Sequence, residues 1–246
     1  MMKQNELQKT TNGISGCVLK VIAMVSMLID HTAAVLIAPF QNLTPLYIAM
    51  RVIGRLAFPI YCFLLVEGFY HTRNRKKYAG RLFLFALISE IPFDLAFNQK
   101  IWDFSYNNVF FTLLIGLLVI WGTDASKDWV TEQKFGSAVT ILRNVLTIVI
   151  LCAGCFLAAI LNTDYSAVGI LVIFAIYTIK DNRLMGSGVA IGILGILAGF
   201  IEFVALLDLI PIYFYNGTRG KQIKYFFYAF YPVHLLILAG IALIAF

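Results

Sequence analysis

The chain has 246 residues, 61% of them hydrophobic and 13% charged, with a mean hydropathy of +0.85 and a formal charge of +6. A soluble domain carries about 25% charged residues, so composition excludes an ordinary water-soluble enzyme and points to an all-α, polytopic transmembrane helical bundle. Its positive charge is modest and sits in loops, which fits membrane topology and not nucleic-acid binding.

Residues 1–18 are polar, with Lys3 and Lys9, and lack the apolar core and small-residue cleavage site of a signal peptide. They read as a short cytoplasmic lead to a single transmembrane domain over 19–246. The first helix is expected over 19–38, ending before Pro39, and the second over 46–70, carrying Arg51, Arg55, Pro59 and Glu67. The third, over 79–97, holds Glu90, Pro92 and Asp94, and the fourth runs over 107–122. The fifth (138–161) contains Cys152-x-x-Cys155 with no second pair or histidine nearby in sequence, so these thiols are expected to pack and not to bind zinc. The sixth covers 165–179. The Gly-rich stretch 184–214 is too long for one upright span, and the last helix covers 223–245.

Lysine and arginine set the orientation. The loop from His71 to Arg81 is the most basic and is expected in the cytoplasm with the N-terminus. Loops 123–137 and 180–183 then also fall inside, and 39–46, 98–106 and 162–165 outside. Eight helices would put the basic loop 215–224 outside. Breaking 184–214 near Gly195–Gly199 brings it inside and raises the expected spans to about nine, and discontinuous helices often line membrane sites.

Ionisable groups at membrane depth tend to mark sites. The first helix carries Lys20, Asp30 and His31. Lys20 and His31 are eleven positions apart, about 20° from full register and roughly 16 Å along the axis, so both lie on one face. This spacing sets a surface cation, suited to an anionic ligand, on one line with an imidazole base near mid-membrane. His31 reads as catalytic, with a structural hydrogen bond or a proton relay as alternatives. Asp30 points about 100° away and is expected to pair with Arg51 or Arg55.

Arg51 and Arg55 share a face. They form either a buried ion-pair network with Asp30, Glu67, Glu90 or Asp94, or a clamp for phosphate or a thioester oxyanion. Glu90 and Asp94 flank the Pro92 kink; at least one is expected to neutralise an arginine. Asn107 and Asn108, and likewise Asp164 and Tyr165, read as helix caps, with a place facing an outer cavity as the alternative. Asn216-Gly217 and Arg219-Gly220, with Lys221, form a turn able to hold phosphate. His234, after Pro232, is a candidate for supporting the site or contacting substrate, with a structural partner as the alternative, and His71 is an ordinary loop histidine.

The segments LKVIAMVSMLIDHTA, RVIGRLAFPIYCFLLVEGF, RLFLFALISEIPFDLAF, NNVFFTLLIGL, DYSAVGIL, YNGTRG and KYFFYAFYPVHLLIL occur in that order over most of the chain. They resemble the TraX family, typified by the F-pilin acetylase of conjugative plasmids. That family is similar, more remotely, to integral-membrane acyltransferases whose first helix carries a basic residue, ten intervening positions and a histidine. Lys20 and His31 match the spacing, with lysine where arginine is usual; lysine binds phosphate as a point charge without bidentate geometry.

The resemblance implies an enzyme of the bacterial cytoplasmic membrane that moves an acetyl or longer acyl group from cytoplasmic acyl-CoA to an acceptor. The acceptor would be a peptide amine, or a hydroxyl on a glycan or small molecule. Acetyl-CoA would be drawn to Lys20, Arg73, Arg75, Lys76, Lys77, Arg219 and Lys221, and its thioester would reach His31 through a polar shaft. His31 would act as general base with Arg51 or Arg55 stabilising the oxyanion, and membrane lipid would be the surroundings. No metal is expected. A proton-coupled transporter or flippase, and a membrane assembly factor without chemistry, are the alternatives.

Overall fold

The computed structural model describes residues 13–221 and 224–245, so residues 1–12 of the polar lead lie outside the described residues. Among the described residues the regular structure is helical, with two isolated β-bridges, Ile14 to Tyr215 and Asn107 to Thr163. Backbone groups inside a bilayer have no water to bond, which makes helices the economical solution.

Helix α1 covers Gly16–Thr32 and widens into a π-helical turn, Ala33–Ile37, before Pro39. The expected single second helix is instead two, α2 over Thr44–Gly54 and α3 over Ala57–His71. Pro59 explains the break. Its ring clashes with the carbonyl four residues earlier, that of Arg55, and it has no N–H to offer. The chain tightens there through Arg55 N–H to Val52 O and Leu56 N–H to Ile53 O, both 3.3 Å.

Helix α4 spans Arg75–Phe97, capped by Asn74, whose side chain accepts from Lys77 N–H. Helix α5 runs over Val109–Trp129, seven residues beyond its expected end. A single turn, α6 (Glu132–Phe135), leads to α7 (Val139–Ile160), and α8 follows over Ser166–Thr178. The Gly-rich stretch is broken as expected. Helix α9 (Arg183–Leu197) ends before Gly199, at φ +134°, and the chain continues as a 3₁₀ segment, Phe200–Asp208, and a short α10, Leu209–Tyr213. Helix α11 covers Lys224–Ala245.

Five stretches of the described residues are long and apolar enough to cross a membrane: 16–37, 41–71, 109–129, 132–160 and 225–245. The protein is therefore a multi-pass helical membrane protein. By length and composition the count is five and not eight or nine. Helices α8 and α9 have only 13 and 15 residues, and α4 carries Arg75, Lys76, Lys77, Arg81, Glu90 and Asp94.

The basic loops gather at one end of the bundle. Gly16 N–H donates to Thr218 O at 2.8 Å, Arg219 to His71 O, and Arg75 pairs with Asp124 at 2.7 Å. Arg183 lies 3.5 Å from Glu67 and over the Tyr215 ring. The loop 215–221 thus sits beside the start of α1 and the 71–75 loop, at the same end as the other basic segments. The opposite end is tied by Asn107 N–H to Asn162 O and Asp164 N–H to Asn107 O.

Between the ends, α5 packs against α4, α7 and α8, and α11 against α4 and α1. Lipid tails are as apolar as leucine, so close approach rather than water expulsion favours such contacts. Gly116 lets Ile173 of α8 lie where a β-carbon would be 2.3 Å from its Cδ1. Phe63, Phe69, Ile60, Ile173 and Leu235 are fully buried in the resulting core.

Candidate functional site

A cavity of about 430 Å³ opens toward the end opposite the basic loops, lined by His31, Asp30, Arg51, Arg55, Tyr106, Asp164 and Tyr165, with Phe93, Phe97 and Tyr231. The break between α2 and α3 positions its charges. Asp30 accepts from Arg51 Nη1 at 2.6 Å and from Arg55 Nη2 at 2.7 Å, one guanidinium to each carboxylate oxygen. Arg55 Nη1 reaches Glu202 Oε1 at 2.9 Å, and its Nε donates to Arg51 O at 3.1 Å. Arg55 is thus spent on the network. Arg51, with 28% of its side chain exposed, faces the cavity.

Glu202 was missed in the sequence. Its only signal was an acid in an apolar run just after Gly199. It takes the place expected of Glu90 or Asp94, neither of which reaches an arginine. Glu90 Oε2 instead accepts from the Asn108 side-chain amide. Asp94 accepts from Asp103 N–H at 2.8 Å and from Asn98, tying down the loop after α4. Glu90 is taken up by Asn108 and Asp94 by the loop after α4, so like-with-unlike pairing read from sequence alone picked the wrong partner.

His31 sits one turn beyond Met27 on α1. It is fifteen residues from the start of α1 and six from the end of the π turn, or roughly 22 and 9 Å, so it lies toward the far end and not midway. His31 Nδ1 is 2.7 Å from His234 Nε2 of α11, and His234 Nδ1 is 2.7 Å from Phe230 O. The two imidazole planes are 6° apart with centroids 5.0 Å apart. With so short an N···N distance, that spacing means rings meeting edge to edge in one plane, not stacked face to face. Phe97 and Tyr231 pack edge-on against His31.

Asn108 caps α5 as expected, accepting from Phe110 N–H at 3.0 Å. Asn107 instead binds Leu161 O with its side chain. Neither asparagine lines the cavity. Asp164 and Tyr165 do line it but are not side-chain caps; Tyr165 precedes α8 with φ +61° and no capping bond. Asp164 accepts from the Tyr106 hydroxyl at 2.6 Å. Burial raises the Asp164 carboxyl above its ordinary range, while the Tyr106 hydroxyl and the nearby Arg55 pull it down.

A second cavity, about 610 Å³, opens at the basic end. It is lined by Lys20, Arg73, Lys77, Arg81, Arg219 and Glu67, among others. Lys20 lies 5.0 Å over the Phe227 ring. Arg75, Lys76 and Lys221 do not line this cavity, contrary to expectation. Arg75 turns to Asp124 and over Phe69, and Lys76 and Lys221 are exposed on the surface. Asn74, Lys77 and Arg81 recur at three and four residues on α4, so they share the face that residues 75 and 76 leave. Glu67 is divided between Arg183 and His71.

Met27, Tyr61, Val109 and Tyr231 line both cavities. Met27 falls seven residues after Lys20 and four before His31, on the face they share. The expected continuous polar shaft is therefore two cavities set back to back, with this septum between them.

The sequence model of a family described as TraX protein matches residues 15–242. A protein named "Probable fimbrial assembly protein FimC, serogroup H1", from Dichelobacter nodosus, is 31% identical over 245 residues, covering 90% of this chain and 93% of that protein. No solved structure matches.

Proposed function

The chain belongs to the TraX family, and from that premise we propose that it is an integral-membrane acyltransferase that takes an acetyl or short acyl group from acyl-CoA. The observation that supports this is the pair of opposed cavities, one cationic and one holding a histidine beside arginines, that meet at four side chains. By the positive-inside rule the basic end faces the cytoplasm, with the N-terminus, in a bacterial cytoplasmic membrane. The phosphates of acyl-CoA are held by Lys20, Arg73, Lys77, Arg81 and Arg219, and its acyl end meets the septum.

The acceptor, a peptide amine or a hydroxyl, enters the far cavity. His31 removes its proton as the nitrogen or oxygen attacks the thioester carbonyl carbon. Arg51 faces the developing oxyanion. The carbon–sulfur bond then breaks, the acyl group stays on the acceptor, and the thiolate leaves to be protonated as CoA thiol. Arg55, Asp30 and Glu202 hold Arg51 and α2 in place.

The test is acetyl-CoA binding and acyl transfer with purified protein in detergent. Wild type is expected to bind the donor, Lys20→Ala to bind it more weakly, and His31→Ala to bind without transferring. Absence of binding by any CoA species at millimolar concentration would overturn the reading.

A second reading is a membrane assembly factor for surface fibres, as the name of the Dichelobacter relative suggests. It is favoured by the balance of the network, two acids against two arginines, which needs no ligand to complete it. Normal fibre assembly with a stably expressed His31→Gln protein would favour it.

A further inference from the structure

The two intramembrane histidines form a chain whose proton positions can be assigned from one end. A carbonyl oxygen only accepts, so the 2.7 Å contact between Phe230 O and His234 Nδ1 requires the proton to be on Nδ1. Neutral His234 then has a bare lone pair on Nε2. That nitrogen lies 2.7 Å from His31 Nδ1, and two lone pairs would repel at this distance. His31 Nδ1 must therefore carry the hydrogen. The coplanar, edge-to-edge rings place the His234 lone pair on the line of that N–H. Neutral His31 keeps its own lone pair on Nε2, the one ring nitrogen left to the cavity that His31 lines.

We propose that His234 is a positioning residue that holds His31 in the tautomer protonated at Nδ1, so that Nε2 is the atom that takes the acceptor's proton. The second half rests on the acyltransfer reading above; the first does not. In triads of hydrolases a carboxylate receives the Nδ1–H of the base and sets its tautomer. Here a neutral imidazole does so, and adds no further charge beside Asp30, Arg51 and Arg55. The chain also ends where it begins: Phe230 O cannot take up a proton. A proton gained by His31 therefore goes back to the cavity, which fits a base and not a through-membrane relay.

The experiment is nitrogen-15 spectroscopy of the full-length protein in lipid nanodiscs, labelled at histidine, at a pH where imidazoles are neutral. The chain has three histidines, His31, His71 and His234, and single variants assign them. Two-bond proton–nitrogen correlations read which ring nitrogen carries hydrogen. His31 and His234 are both expected as neutral Nδ1–H tautomers. His234→Phe removes the acceptor and should shift His31 toward the Nε2–H form, with roughly 10²-fold slower transfer. His234→Gln, whose amide oxygen can accept from His31, should keep the tautomer and recover part of the rate. An unchanged His71 signal marks variants that remain folded. Finding His31 protonated at Nε2 in wild type, or indifferent to His234→Phe, would overturn the proposal. The spectrum needs neither donor nor acceptor, so a correct tautomer in a protein that transfers nothing would sink the acyltransfer reading alone.

Discussion

A β-carbon on Gly54 would lie 2.1 Å from Oδ1 of Asp30, the oxygen that accepts from Arg55. The last turn of α2 thus lies flush on the carboxylate that joins both arginines. Gly54→Ala must displace Asp30, and breaking a buried pair from one side costs about 3–5 kcal/mol. We expect a marked fall in thermal stability in detergent, whereas Gly80→Ala, with nothing within 4 Å of its added carbon, leaves the melting temperature unchanged or slightly higher. Equal melting of the two variants would show that α2 can shift away at little cost.

If the protein transfers acyl groups as proposed, the septum between the cavities is the wall that would set acyl length. Met27→Ala or Val109→Ala removes methyl or methylene groups from the wall shared by the cavities. Either is expected to raise the preference for butyryl- or hexanoyl-CoA over acetyl-CoA by roughly tenfold, since one to two methylenes of fit in a pocket are worth that much. Competition among acyl-CoA donors measures it. An unchanged preference in both variants would put the selecting wall elsewhere.

Cations around the basic end divide by what they face. Lys77→Ala and Arg81→Ala should weaken donor binding and flatten its dependence on salt, because they line the cavity. Lys76→Ala and Lys221→Ala should do neither. Titration calorimetry at two ionic strengths separates position from bulk charge: if all four weaken binding alike, only the overall positive field matters.

Asp164 gives a pH signature. Its folded carboxyl titrates above the ordinary carboxylate range, chiefly through burial, so the folded state holds its proton where the unfolded chain has lost it. Stability contributed by this group is therefore full below the unfolded value and falls as pH rises through the folded one. Asp164→Asn should remove that slope between the two values, seen as a flatter plot of melting temperature against pH. A wild-type plot already flat in that window would mean that its contact with Tyr106 outweighs burial.

How far residue spacing carries can be seen helix by helix. The common face of Lys20 and His31, the partnership of Asp30 with the arginines, and the break before Gly199 all follow from periodicity and local chemistry, which act along the chain. What spacing cannot supply is the partner across a helix interface. Glu202, 147 positions from Arg55, is one such case. The bond from His31 to His234, 203 positions away, is another, because the sequence marks both rings without joining them. The break at Arg55 is legible in the sequence, since Pro59 forbids the fourth-back carbonyl from its usual place, although the apolar run alone suggests an uninterrupted helix. Arg75 and Lys76 miss the cavity for a simpler reason: a charge run in sequence is not one patch in space, because α4 turns successive residues 100° apart.

The ion network also has an order in time. Asp30 leaves the ribosome before Arg51 and Arg55, and Glu202 follows nearly 150 residues later. Until then Asp30, Arg51 and Arg55 together carry one uncompensated positive charge. A charge of that kind at a helix centre disfavours insertion by a few kcal/mol, so early intermediates would keep α2 near the lipid headgroups. The break before α3 would let α3 insert while α2 waits. Arrival of the 3₁₀ segment with Glu202 then completes neutrality, making the last third of the chain the step that commits the first third to its place.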